Sequence, residues 1–102
     1  MKPGMGDARR TAKQTKTLDD VSRTGYEFMM SDLDVALTLA RIASRAAEDD
    51  NKRIRNLQNA RRAYDKVQEL LQRIGLSAGQ QQQIVEKLNI VKSTLKKLGE
   101  SF

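Results

Sequence analysis

The stretch NARRAYDKVQELLQRIGLSAGQQ, at positions 59–81, decides the fold of this 102-residue chain. Apolar residues at helical spacing, such as Tyr64 and Val67, continue until Gly75, which is a natural residue to follow a helix C-terminus. Ser77 and Gln80 then form a capping box, which marks the start of another helix. The stretch therefore predicts two helices joined by a short turn, and such helices pack antiparallel.

The same spacing extends both helices outward from this turn. The earlier helix is predicted from about residue 50 to 74, with one apolar face: Leu57, Ala60, Ala63, Tyr64, Val67, Leu70, Leu71 and Ile74. The later helix is predicted from about 78 to 98, where Gly99 ends it. Its narrow apolar stripe is typical of the seam of a helical bundle and comprises Ile84, Leu88, Val91, Leu95 and Leu98.

A further helix is predicted upstream, from about residue 32 to 48. Ser31 and Asp34 resemble a capping box, and Met30 and Val35 occupy the positions of a hydrophobic staple. This helix is apolar over most of its circumference, so we expect neighbours on more than one side of it. Residues 31–99 are thus predicted to form an all-α, antiparallel, up-down-up three-helix bundle with short loops.

Residues 1–29 leave several interpretations open. Residues 1–17 contain five basic residues, one acidic residue and no Leu, Ile, Val or aromatic side chain, so they are expected to form a disordered basic tail. Residues 18–30 are expected to be irregular or to form a short helix, which Gly25 interrupts. Their apolar residues, Tyr26 and Phe28 among them, pack on the bundle or dock on a partner. Met30 as a natural start is an alternative, with residues 1–29 as an extension.

The composition argues against catalysis. The chain contains no His and no Cys, which are the commonest general base and a frequent nucleophile and metal ligand. The acid pairs Asp19–Asp20 and Asp49–Asp50 are interpreted as residues that favour helix starts. We therefore expect no enzyme activity, no metal and no cofactor.

No apolar run approaches the roughly 18 residues that span a bilayer, and no secretory leader is recognisable, so a cytoplasmic protein is expected.

A cationic ridge is the strongest surface pattern of the predicted second helix. Arg55, Arg62, Lys66 and Arg73 project within about 40° of one another at 100° per residue. Two acids reduce its charge, because Asp65 can pair with Arg61 and Glu69 with Arg73 at i,i+4 spacing. The ridge is interpreted as a solvated helix face, or as a contact for an acidic peptide or a phosphate backbone. Tyr64 belongs to the core face, so base stacking is not supported.

Residues 32–74 resemble the helix pair of TPR-like and MIT-like modules. The resemblance rests on Ala36, Leu37 and Ala40 in the first predicted helix and on Ala60 and Tyr64 in the second. With the last helix it covers residues 32–98, the size of an MIT-like unit. The chain lacks the TPR glycine in its first helix and has a single hairpin, so we interpret it as a stand-alone bundle.

The resemblance implies peptide binding, with a partner helix in a groove between two of the three helices. The groove beside the last helix, with Lys87, Lys92 and Lys96 on its rim, would suit an acidic amphipathic partner.

Two functions are compatible with the sequence. The first is a small non-enzymatic interaction module that binds a helical or acidic protein segment, or binds itself as a homodimer through the widely apolar first helix. The alternative is non-specific nucleic-acid association through the basic tail and the ridge. Binding that collapses between low and moderate salt would indicate phosphate contacts, whereas binding that survives salt would indicate an apolar groove.

Overall fold

The computed structural model describes residues 22–46 and 48–102 with their side chains. Three helices follow one another along the chain: α1 (Lys2–Arg45), α2 (Asp50–Arg73) and α3 (Ala78–Lys97). The described residues contain no strand. The predicted all-α, up-down-up three-helix bundle is confirmed. The disordered basic tail predicted for residues 1–17 lies outside the residues whose side chains are described.

One core joins the three helices. Met29 and Leu33 from α1, Val67 from α2, and Ile84 and Leu95 from α3 are all fully buried. Burial of each such side chain stabilises the fold by about 1.5–3 kcal/mol relative to exposure. No polar side chain of the described residues is buried. The predicted core faces of α2 and α3 are confirmed, because their buried residues belong to the two apolar stripes identified in the sequence.

The first helix differs from its prediction at the N-terminal side. α1 passes through Ser31 without a break, so Ser31 does not cap a helix start. The physical reason is burial further upstream: Met29 is fully buried, and Tyr26 and Met30 pack against the core. Residues 22–30 therefore continue the helix and belong to the bundle. At its other end α1 stops at Arg45, earlier than the predicted residue 48.

Gly25 lies where α1 meets the turn between α2 and α3. A Cβ atom at this position would come within 2.9 Å of Ile74 Cδ1 and 3.2 Å of Ile74 Cγ2. The Ser22 hydroxyl donates a hydrogen bond of 2.9 Å to the carbonyl oxygen of Gly75. The prediction that Gly25 interrupts a helix is wrong, because α1 passes through this residue. Since glycine has no side chain, Ile74 can approach α1 closely at this position.

The predicted signals at the ends of α2 and α3 are present. Ser77 and Gln80 form the predicted capping box at α3. Gly99, at φ +100°, ends α3: its N–H donates to Lys96 O and the next N–H donates to Leu95 O, both at 3.0 Å. Gly75 follows the C-terminus of α2, as predicted, but its φ is not positive. The chain leaves α2 extended at Ile74 (φ −99°, ψ 127°), which places the Ile74 side chain against Gly25.

Candidate interaction surfaces

The cationic ridge on α2, defined as Arg55, Arg62, Lys66 and Arg73, is exposed throughout its length. Arg73 Nη2 lies 2.7 Å from Glu69 Oε1, and the predicted pairing of Arg73 with Glu69 is confirmed. Arg55 and Arg62 form no ion pair or hydrogen bond with the described residues. Their charges are therefore available to a partner.

Exposed apolar residues of α1 lie beside this ridge. Phe28 and Val35 are 43% and 49% exposed, and Ile42 is half-buried. These three residues are spaced by seven and, with the half-buried Leu39, form the α1 stripe. The stripe and the ridge touch at one end, because Lys66 Nζ lies 4.8 Å from the centroid of the Phe28 ring. Such a cation–π contact at an exposed site contributes about 0.5–1 kcal/mol.

The stripe and the ridge run side by side because α1 and α2 are antiparallel. From Phe28 to Ile42 the stripe is about 21 Å long at 1.5 Å per residue, and the ridge from Arg55 to Arg73 is about 27 Å long. The contact between Phe28 and Lys66 fixes their relative position, so Ile42 lies toward Arg55. We call this combined surface, an apolar strip with a row of cations along one edge, the α1–α2 face.

The lysines predicted as the rim of one groove are not brought together. Lys87 pairs with Asp34 on the α1 side of α3. Lys92 Nζ lies 5.5 Å from the Phe102 ring centroid on the α2 side. Lys96 is exposed. The reason is helical geometry, since the separation of five positions from Lys87 to Lys92 rotates the side chain by about 140°. These three residues do not line a single groove.

A groove of about 420 Å³ does lie between α1 and α3, near the C-terminal ends of both helices. Its cationic residues are Arg41, Arg45 and Lys97, and Leu98 contributes apolar surface. In the sequence, Arg41 and Arg45 look like part of an ordinary polar stripe. Only the crossing of α1 with α3 places them opposite Lys97.

A smaller groove, of about 230 Å³, lies between α2 and α3. Its lining combines apolar side chains with three primary amides: Tyr64, Gln68, Leu71, Gln72, Val85, Leu88 and Asn89. Tyr64 is 4% exposed, and its hydroxyl accepts a hydrogen bond of 3.0 Å from Gln68 Nε2. Burial raises the pKa of the Tyr64 phenol. The charge of Arg61 and the Gln68 hydrogen bond act in the opposite direction, and Asp65 adds to the rise. Tyr64 is therefore neutral at physiological pH.

The segment Glu100–Phe102 adjoins this α2–α3 groove, because Phe102 packs against Tyr64, which lines it. Arg61 holds it, with Nη1 donating to Ser101 O at 2.6 Å and lying 3.7 Å from Glu100 Oε1. The Arg61 guanidinium also lies over the Phe102 ring, 4.0 Å from its centroid. The opposite edge of Arg61 makes the predicted ion pair with Asp65, at 3.1 Å. The contact of Arg61 with residues 100–102 could not be predicted from the sequence, because 40 residues separate Arg61 from Ser101.

The described residues offer no group of three acidic side chains that could hold a metal ion. In this same part of the chain no helix has both the length and the apolar character needed to cross a membrane. Comparison with protein-family models, with curated proteins and with solved structures gave no match to this chain. The resemblance to MIT-like and TPR-like modules therefore stays a prediction.

Proposed function

We propose that this protein is a small non-enzymatic interaction module that binds an acidic amphipathic helix of a partner protein on the α1–α2 face. The observation that carries the proposal is the exposed α1 stripe lying alongside the cationic ridge, joined to it by the contact between Phe28 and Lys66. Solvent-exposed apolar strips bordered by charge are typical of protein interaction sites. We also propose a cytoplasmic location, as expected from the sequence.

The chemistry of the face selects the partner. A helix laid along the stripe would place apolar residues, at seven-residue spacing, against Phe28, Val35 and Ile42. Acidic residues on its neighbouring edge would then face Arg55 and Arg62, which have no ion pair among the described residues. The stripe is about 21 Å long, which corresponds to about 14 residues of partner helix.

Two other occupants fit this face less well. Nucleic acid would engage the ridge, but a phosphate backbone has no apolar counterpart for the stripe. A second copy of this chain would cover the stripe, but the described part of α1 offers no row of acids to the ridge. Among residues 22–45, the only acid on the side of the stripe is Asp32.

The test uses a fluorescent synthetic helix of about 18 residues, with Leu at seam positions and Glu along one edge, since shorter isolated helices are marginal in water. Its affinity for the full chain is measured by anisotropy at low and moderate salt. We expect Val35→Asp, and separately Arg62→Glu with Lys66→Glu, to weaken binding at least about tenfold, which is 1.4 kcal/mol. Ile90→Asp is the matched control, because Ile90 is 55% exposed on α3 and lies away from the face.

Other outcomes would assign the face differently. The nucleic-acid alternative requires three results. A DNA duplex binds, Arg62→Glu with Lys66→Glu abolishes this binding, and Val35→Asp leaves it unchanged. If sedimentation shows a salt-resistant dimer that Val35→Asp dissociates, the face is a homodimer interface. Denaturant unfolding of each variant serves as the folding control. We expect changes within about 1 kcal/mol, because all the substituted residues are exposed and the contact of Lys66 with Phe28 is the main interaction lost.

A further inference from the structure

The contacts of Glu100–Phe102 combine several kinds of recognition at one place. A carboxylate and a backbone carbonyl oxygen of the segment meet the same guanidinium, that of Arg61. Its aromatic ring packs edge-to-face on Tyr64, with 5.1 Å between centroids and 75° between planes. Lys92 Nζ adds a second cation 5.5 Å from that ring. The carboxylate and the carbonyl oxygen thus meet a cationic hydrogen-bond donor, and the face of the ring meets two cations.

We propose that the α2–α3 groove binds short extended peptide segments of partner proteins, in which an acidic residue precedes an aromatic residue by two positions. Glu100–Phe102 holds this place in cis and competes with such a segment. In the bound state the partner's carboxylate pairs with Arg61, and its aromatic ring takes the position of the Phe102 ring between Tyr64 and Lys92.

The groove continues beyond Phe102 with a lining suited to an extended backbone. Gln68, Gln72 and Asn89 are exposed, and each carries one amide carbonyl and one NH₂ group. Extended peptides present unpaired N–H and C=O groups on both edges, and primary amides can satisfy both kinds. Leu71, Val85 and Leu88 supply apolar surface for alternate side chains. The backbone groups of a helix are already paired with one another, so a helix would offer these amides no backbone hydrogen bonds.

The dimensions fit a short segment. From Tyr64 to Gln72 the groove follows about 12 Å of α2, at 1.5 Å per residue. An extended chain rises about 3.3 Å per residue, so the groove accommodates about four residues after the aromatic one. The residues that line the groove carry no charge, and the cations Arg61 and Lys92 lie at its Tyr64 end. The acidic residue of the peptide therefore binds at this end, which sets the direction of the peptide.

The cis segment is held in a way that permits exchange. Phe102 remains 43% exposed, and the pair of Arg61 with Glu100 lies at 3.7 Å between partly exposed side chains. Exposed ion pairs of this kind contribute little, because solvent screens them. Glu100–Phe102 nevertheless competes effectively, since its covalent attachment gives it a high effective concentration at the groove. A partner peptide therefore binds more tightly once the cis ring is removed.

The experiment uses the full chain and a fluorescein-labelled synthetic peptide, GESFSVSG, whose ESF reproduces residues 100–102. Anisotropy compares the wild-type chain with Phe102→Ala. We expect the peptide to bind Phe102→Ala at least about threefold more tightly than wild type, because the cis competitor is weakened. A second peptide, GQSASVSG, lacks the acid and the aromatic ring and should not bind either chain.

Position is tested by matched arginine variants in the Phe102→Ala background. Arg61→Gln should abolish binding of the peptide, whereas Arg62→Gln, at the neighbouring exposed position, should leave it unchanged. In nitrogen-15 spectra, peptide addition should shift the side-chain amide signals of Gln68, Gln72 and Asn89. Val35→Asp on the α1–α2 face should have no effect, so this test is independent of the proposed function.

Three results would overturn the inference. The first is the absence of peptide binding to Phe102→Ala at millimolar concentration. The second is binding outside the groove, seen when Arg61→Gln leaves it intact or when signals of the α1–α2 face shift instead of the groove amides. The third is equal affinity of the peptide for wild type and Phe102→Ala, which would reject competition by the cis segment.

Discussion

Tyr64 connects the core of the bundle to the α2–α3 groove. Its ring is buried with Leu57 and Val67 of the same helix, while its hydroxyl stays within reach of Gln68 Nε2. The ring also packs edge-to-face with Phe102. A large aromatic side chain can do this because it has an apolar body and a polar tip. The same residue therefore stabilises the fold and shapes a surface.

The first prediction concerns this residue. Tyr64→Ala should lower the free energy of unfolding by about 3 kcal/mol or more, because it leaves a cavity between α2 and α3. Tyr64→Phe removes only the hydroxyl and should cost about 0.5–1.5 kcal/mol. Urea unfolding followed by circular dichroism measures both changes. A loss below about half a kcal/mol for Tyr64→Ala would contradict the burial of the ring.

The ends of the elements show which local signals decide a helix boundary. Ser77 and Gln80 start α3 with interactions that lie within four residues, and this boundary is as predicted. Gly99 likewise ends α3 through bonds to Leu95 and Lys96. Gly75 has the same residue type at a similar position, yet its φ is not positive. A contact from another helix, between Ile74 and Gly25, determines that end instead.

The second prediction separates these glycines. Gly99→Ala should lower the free energy of unfolding by about 1–2 kcal/mol, because a residue with a Cβ is strained at positive φ. No neighbouring atom lies within 4 Å of the added Cβ, so the cost comes from the backbone alone.

Gly79→Ala is the matched control: its surroundings are equally open, its φ is not positive, and it lies in the first turn of α3. It should leave stability unchanged or raise it by up to about 1 kcal/mol. Equal effects of the two substitutions on thermal unfolding would show that Gly99 does not need its left-handed conformation.

At the scale of the whole molecule, α1 is the element that holds the bundle together. It bonds to the α2–α3 turn through Ser22, to α3 through Tyr26 and Gln83, and again to α3 through Asp34 and Lys87. All three contacts join residues that are distant in the sequence. The contacts of Ser22 and Tyr26 show that residues 22–30 are part of the bundle.

The third prediction tests the contact between α1 and the turn with a double-mutant cycle. Gly25→Ala should gain none of the roughly 1 kcal/mol that this change brings in an open helix, because its Cβ displaces Ile74. Ile74→Val removes Cδ1, the nearest atom, and so should restore part of that gain. We expect a coupling of about 0.5–1 kcal/mol between the two sites, measured by chemical denaturation. Additive effects within about 0.3 kcal/mol would mean that the helix and the turn are not in close contact.

The amino-acid sequence by itself determined the features that depend on residues within one or two helical turns. These are the three helices, the core faces of α2 and α3, the capping box at Ser77, and the pairs of Arg61 with Asp65 and of Arg73 with Glu69. The positions of the ridge residues on α2 follow from the same regular spacing. All of these could be predicted because helical geometry relates neighbouring residues in a fixed way.

The tertiary structure alone decided what lies next to what. It extended α1 through Ser31, placed Phe28 beside Lys66, and brought the segment at Phe102 onto Arg61 and Tyr64. It also separated Lys87 from Lys92, which the sequence reading had joined on one rim. Periodicity fixes the direction of a side chain from its own helix, but not the helix that it meets. That depends on how the three apolar faces share a single core, and both proposed surfaces follow from this packing.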